Sequence, residues 1–397
     1  MPIREESPWA TLWTFPAILL ASMLIAWAAE SAQFFVAQGL ALAILAWLQT
    51  LPEFAVEAVI AWRQQIHLML ANLTGALRLL VGLGWPLIYF TAAGFHRYKT
   101  GRPLRRITLA KEHAVEVMGL APPLAYFVWI WWKASIDLID AGVLIGLYIA
   151  YLLALRRIPP QEQERVEEME AVPRFIMTRP PRRRSVLIIG LFLAGGILIY
   201  YSAEPFLGSL LAVSSALGIS SFVFVQWVAP FVSEFPEKVS AFYWARTVDK
   251  APMALMNMVS SNINQWTLLA AMLPVVYSLS RGAVSVIPLD AQQELEVLMT
   301  IAQSLIGIAF LMNMEIAWWE AGSLFGLWAV QFVLSPIPPG PGALGWLAGR
   351  IHHAVTWVYL GWSAVEFLRL LAGKRKVAAV TSFVELWRQH KPKKVEV

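Results

Sequence analysis

Long apolar runs broken by short charged connections dominate the chain. Runs such as WATLWTFPAILLASMLIAWAA (9–29) and IDLIDAGVLIGLYIAYLLAL (136–155) reach the roughly 20 apolar residues that a helix needs to cross a bilayer. They are continuous and do not alternate, which predicts spanning helices and argues against a barrel. Reading each run to its next charged break predicts helices over 9–38, 39–63, 67–93, 112–133 and 136–155 in one half. In the other half it predicts 185–217, 219–246, 251–280, 293–314 and 318–335. A further stretch, 343–371, predicts an eleventh crossing. Between the halves lies RRIPPQEQERVEEMEAVPRFIMTRPPRRR (156–184), too charged and too proline-rich to cross. The expected organisation is a first five-helix repeat over 1–155, a cytoplasmic linker over 156–184, a second repeat over 185–335, and an extra helix with a basic cytoplasmic tail over 336–397.

Composition sharpens this picture. Of 397 residues, 58% are hydrophobic and 14% charged, against about 25% charged in soluble domains; the mean hydropathy is +0.60. An integral membrane protein is expected, and a bacterial or archaeal plasma membrane is its natural setting. The net charge of +5 comes from basic connections, including Arg97, Lys99, Arg102, Arg105, Arg106 and Lys111. Topology explains them without a nucleic-acid partner, because basic connections stay in the cytoplasm. There is no cysteine, which excludes disulfides, thiolate nucleophiles and Cys-ligated metals. The N-terminal MPIREESPWA lacks the pattern of a removable signal peptide, so the first helix is expected to stay. Tryptophans such as those of WIWW (129–132) and WW (318–319) suit the membrane interfaces.

The halves also share motifs in one order. WAAES (27–31) matches YSAEP (201–205), and LPEFAVEAVIAWR (51–63) matches FPEKVSAFYWAR (235–246). ANLTGALRLL (71–80) matches MNMVSSNINQ (256–265), and IDAGVLIGLYIAYLLAL (139–155) matches WEAGSLFGLWAVQFVLS (319–335). Five crossings per half mean that the halves enter the membrane in opposite directions, an arrangement from which transporters build two-sided access. The fold class expected is therefore an all-α polytopic membrane protein with two inverted five-helix repeats and an eleventh C-terminal helix.

Each half places a proline and a carboxylate midway through a span, at Pro52–Glu53 and Pro236–Glu237. A proline there frees the carbonyl four residues earlier, Leu48 or Val232, and an ionisable group at that depth is a functional signal by default. Gln49 and Thr50 precede the first pair, and Ser233 and Glu234 precede the second. Amide, hydroxyl, carbonyl and carboxylate oxygens within one turn suit hard cations such as Na+ and Ca2+. Asn257, Ser261 and Gln265 are spaced by four and share a helix face; their counterparts Asn72, Ala76 and Leu80 turn apolar. Arg78, also in a span, is a fixed positive charge expected to tune selectivity. Asp140 and Glu320 read as helix caps. Glu30 and Glu204 read as interfacial, and the adjacent His352 and His353 point apart and make a poor metal site.

These motifs resemble those of the cation/calcium exchanger superfamily, which contains the sodium/calcium exchangers. That family carries G-T-S-[LI]-P-E in each of two inverted repeats, followed by G-N-x-x-G-S-N-I-x-[ND]. LQTLPE (48–53) and VSEFPE (232–237) resemble the first stretch, while ANLTGALRLL and MNMVSSNINQ resemble the second. GALRLLVGLGWP (75–86) is similar to a pattern in bacterial and archaeal members described as sodium:proton or sodium/calcium exchangers. The resemblance implies that Glu53 and Glu237 are the two cation carboxylates, joined by Ser261 and Asn262. It departs at Leu80 and Gln265, where the family has asparagine or aspartate, at Ala76 and Leu77, and at Gln49 and Glu234. The lost oxygens and the Arg78 charge weigh toward a monovalent ion. The expected function is a cation antiporter exchanging Na+ or Ca2+ against another cation, H+ among them, with no cofactor and no enzymatic activity. A membrane enzyme using Glu234, Glu237 and a histidine, or an exchanger-fold scaffold or sensor, are the competing classes. No hydrolase, metalloprotease or nucleotide-binding motif supports the enzyme.

Overall fold

The computed structural model describes residues 3, 6–35, 40–157, 166 and 169–389. The basic KPKK (391–394), much of the central linker and the end of the first expected span lie outside the described residues. In chain order the helices of the first half are α1 (Thr11–Ala32), α2 (Ala41–Gln49), α3 (Leu51–Trp62), α4 (Ile66–Leu79), α5 (Trp85–Thr100), α6 (Ala114–Gly119), α7 (Ala121–Lys133) and α8 (Leu138–Leu155). After a short α9 (Ala171–Met177) come α10 (Pro181–Leu217), α11 (Ser221–Ser233), α12 (Phe235–Ala245), α13 (Ala251–Asn264), α14 (Ala270–Arg281), α15 (Ala291–Leu311) and α16 (Trp318–Leu334). The chain continues through α17 (Ala343–Ala348), α18 (Ile351–Leu371) and α19 (Ala378–Gln389).

Among the described residues, six helical stretches are long and apolar enough to cross a bilayer, and α2 with α3, bent by 46°, makes a seventh. The remaining expected crossings are shorter or more polar. α11 has 13 residues and α16 has 17, and α13 carries Asn257, Ser260, Ser261, Asn262 and Asn264, all buried. A helix enclosed by other helices has no need of an apolar surface, since its polar groups face the bundle and not lipid.

Matching devices recur in the two halves. α4 passes into α5 through a π-helical turn, Leu80–Gly84, and α13 passes into α14 through another, Gln265–Leu269. The turns begin at the two residues that the sequence motifs align. α8 begins with Asp137 accepting from the N–H of Ile139 and Asp140 while Asp140 accepts from the N–H of Asp137 at 2.7 Å. In the other half Glu320 accepts from the N–H of Ala317 at 2.8 Å. Asp140 and Glu320 are caps, as expected.

Four short strands tie the halves together. β1 (Arg106–Thr108) pairs antiparallel with β4 (Glu315–Ala317), and β2 (Ser135–Ile136) with β3 (Ile287–Pro288). α6 and α7 separate β1 from β2, and α15 separates β3 from β4, so each sheet takes one strand from each half. Deeper in the bundle α4 touches α11 at Gly75, where an added Cβ would stand 1.8 Å from the carbonyl oxygen of Gln226. Only a residue without a side chain permits that approach.

Candidate functional site

α2 ends at Gln49 and α3 begins at Leu51, leaving Thr50 as a one-residue joint. α11 ends at Ser233 and α12 begins at Phe235, leaving Glu234 as the second joint. The breaks fall two residues before each proline. Pro52 and Pro236 occupy the first turn of the following helix, where the missing N–H has no helical partner to lose. The expectation of a helix running through the proline is corrected to two half-helices at each joint. Glu53 and Glu237 lie in the first turns of α3 and α12, where the helix dipole favours a negative charge.

α13 connects the joints. The amide nitrogen of Gln265 donates to Glu53 at 2.8 Å and to Glu234 at 2.7 Å, so one side chain holds a carboxylate from each half. Asn257 donates to Gln49 at 3.1 Å, Asn264 to Thr50 at 2.5 Å, and Ser261 to Glu237 at 2.5 Å. Glu53, Glu237 and Glu234 are 0%, 1% and 2% exposed, so the cluster is closed to solvent. Oε1 of Glu53, Oε2 of Glu237, Oε1 of Gln265 and the Oδ1 atoms of Asn257, Asn262 and Asn264 are buried without a hydrogen-bond partner. These are oxygen donors of the kind a hard cation takes. Among the described residues no three His, Asp or Glu side chains close on one point, so amide, hydroxyl and backbone oxygens would have to complete a shell.

Several candidates sit elsewhere. Ser233 turns back to the Ala229 carbonyl at 3.0 Å. Asn72 donates at 2.5 Å to Glu57, a buried acid that the sequence reading passed over although it stands four residues after Glu53 on the same face. Arg78, expected to charge the cation site, is committed to a separate cluster. It forms an ion pair with Glu296 at 2.7 Å, donates to the Thr74 carbonyl at 3.1 Å, and lies over the Trp227 ring. Glu296 also accepts from Gln226 at 2.9 Å and bonds His352, whose other ring nitrogen meets Ser335 at 2.8 Å. The fixed cation beside the central acids is instead Lys238, ion-paired with Glu234. The four-residue spacing of that pair on a helix was the signal that could have found it. Glu204, read as interfacial, pairs with Arg63.

The two joints, each followed by a first-turn carboxylate, are linked through polar residues of α13 and through Gln265, and the sequence carrying them matches a family of membrane exchangers. The profile of the family described as sodium/calcium exchanger protein matches residues 7–156 and 187–335, and the chain belongs to that family. It is an integral membrane protein of a transporter family whose exchanger members carry inorganic cations. Among solved structures it is similar to a crystal structure of the H+/Ca2+ exchanger CAX, with 32% identity over 97% of this chain and 91% of that one and a TM-score of 0.82. It is also similar to the sodium-calcium exchanger NCX_Mj, at 20% identity over 82% of this chain and 97% of that one, with a TM-score of 0.54. Native YfkE matches at 14% identity over 81% and 89%, with a TM-score of 0.57. The last two show a shared fold. No curated protein is similar enough to the chain to count as a match.

Proposed function

We propose that the chain is a secondary antiporter that carries Ca2+ in exchange for H+ or Na+, by alternating access at Glu53 and Glu237. The observation that carries this reading is the pair of hydrogen bonds donated by Gln265, which brings the Glu53 joint of one half and the Glu234 joint of the other to a single amide. Charge decides between cargoes. Arg78 is neutralised by Glu296, so it does not repel a divalent ion from the centre. Glu53, Glu237 and Glu234 ionised, with Lys238 charged, leave a net −2, which one Ca2+ balances. When Ca2+ leaves, two buried negative charges must be neutralised again, because unpaired buried carboxylates cost several kcal/mol each. Protons on the carboxyls, or Na+ beside them, meet that requirement and couple the fluxes. The similarity to an H+/Ca2+ exchanger supports the same choice.

The architecture supports two-sided access. β1 and β2 are separated by one crossing, as are β3 and β4, and the pairs are β1 with β4 and β2 with β3. An inverted arrangement of the halves, with five crossings each and the α2–α3 and α11–α12 joints near the midplane, accommodates that pairing. α18 is then an eleventh span. The basic residues of 96–111 favour a cytoplasmic side for β1, β4, the linker and α19.

The test is flux in proteoliposomes containing the full chain. Ca2+ uptake driven by an outward-directed H+ or Na+ gradient is expected in the wild type, and both Glu53→Gln and Glu237→Gln reduce it to the protein-free background. Gradient-independent ligand binding that survives both substitutions, with no flux from the wild type, would show a scaffold or sensor instead.

A further inference from the structure

We propose that Glu57 and Asn72 form a second station for a single positive charge, Na+ or H+, one helical turn along α3 from Glu53; the assignment rests on the antiporter reading. Both side chains are completely buried. Asn72 donates to one carboxylate oxygen of Glu57 at 2.5 Å. The other oxygen, Oε1, and the Asn72 carbonyl oxygen Oδ1 are buried with no partner. A hydrogen-bonded pair thus keeps a carboxylate and an amide oxygen buried with unused lone pairs, and both are ligands for a hard monovalent ion or acceptors for a proton.

Charge makes the station necessary. Among the described residues no ion pair is formed by Glu57, whereas Glu296 pairs with Arg78 and His352, Asp140 with Lys133, and Glu320 and Glu366 with Arg375. Glu57 meets the Asn72 amide of α4 through a hydrogen bond and the Glu53 carboxyl of its own helix through charge. On the α10 side, Arg63 of α3 is occupied by Glu204. Glu53 only adds negative charge. A further carboxylate beside a centre whose net −2 one Ca2+ balances demands one more positive charge, and a monovalent one fits a single carboxylate.

The station also breaks the symmetry of the halves. The residue matching Glu57 in the second half is Ala241, and Asn257, the match of Asn72, is bound to Gln49. With the basic 96–111 connection inside, α3 runs outward from Glu53, so the extra acid stands on the outer side of the centre and its inner equivalent is missing. A charge resting there meets an ion entering or leaving by the outer route only.

The experiment counts monovalent charges on the detergent-purified full chain. Wild type is compared with Glu53→Gln/Glu237→Gln, which disables the centre, and with the same pair plus Glu57→Gln. Bound radioactive Na+ is measured by equilibrium dialysis, and titrating protons by potentiometry across neutral pH. The double variant is expected to keep one site per chain, seen as one Na+ or as one proton more than the triple variant takes; which readout responds identifies the ion. Equal counts for double and triple variants in both readouts overturn the proposal. Asn72→Ala in the double background keeps the carboxylate and removes its amide, and it serves if Glu57→Gln does not fold. It should weaken the Na+ site, or favour or disfavour the proton, by roughly tenfold; an unchanged constant also overturns the proposal. Failure of wild-type Ca2+ flux falls on the antiporter reading alone, and the charge count still judges Glu57.

Discussion

At the scale of single residues, identical side-chain types have different tasks because of what faces them. Glu53 and Glu296 are both buried acids in helices, yet the first holds only an amide donor while the second holds Arg78, His352 and Gln226. Arg78 therefore acts on stability. Removing one partner of a buried ion pair costs about 3–5 kcal/mol because the remaining charge is stranded, with the lower end expected here since His352 stays beside Glu296. Arg78→Asn should lower the thermal midpoint in detergent markedly and leave the preference for Ca2+ over Na+ and K+ unchanged in flux competition. A changed preference with an unchanged midpoint would return Arg78 to the transport site. The acids of the joints were legible in the sequence, because proline and glutamate in an apolar run are conspicuous and repeated. The partner of Arg78 was not. Glu296 is far away in the chain, and no periodicity connects one helix to another.

At the scale of elements, the contact of α4 with α11 positions both the Arg78 cluster and the helix that carries Asn72. Gly75 makes that contact, and the atom a new methyl would meet is backbone, which no rotamer change can move aside. Gly75→Ala should force the two helices apart and stretch the 3.1 Å bond from Gln226 to Thr74. Overpacking of this kind costs about 1–3 kcal/mol. Gly94→Ala is the internal control: Gly94 is also helical, but nothing lies within 4 Å of its added Cβ. Alanine's better helix propensity should make that change neutral or stabilising by up to about 1 kcal/mol. Thermal unfolding of the two variants side by side checks the prediction, and equal midpoints would mean that the close approach is not needed. Most helix positions were readable from the apolar runs to within a few residues, but α5 runs on to Thr100 and the expected single span 343–371 splits into α17 and α18. The joints were displaced, because the proline marks the start of the second half-helix and not the break itself, and the π turns left no mark in composition. The match of Leu80 with Gln265, drawn from sequence, coincides with their starting points.

At the scale of the whole molecule, apolar length alone identifies fewer crossings than the repeat implies, since helices such as α13 are enclosed by protein and carry the polar residues of the site. Orientation is a better test than counting. The two small sheets must lie on opposite faces of the membrane if α6–α7 and α15 each cross once, and the cysteine-free sequence makes this directly measurable. Thr108 in β1 is exposed, and Val284, just before β3, is 83% exposed. Single variants Thr108→Cys and Val284→Cys in vesicles of one orientation should react with a membrane-impermeant maleimide from opposite sides, Thr108→Cys from the cytoplasmic side because its connection is basic. Labelling of both from one side would place two strands from different sheets on the same face. The halves could then not be inverted, and the α2–α3 and α11–α12 joints would lose the opposed directions through which a site between them can open to each side in turn.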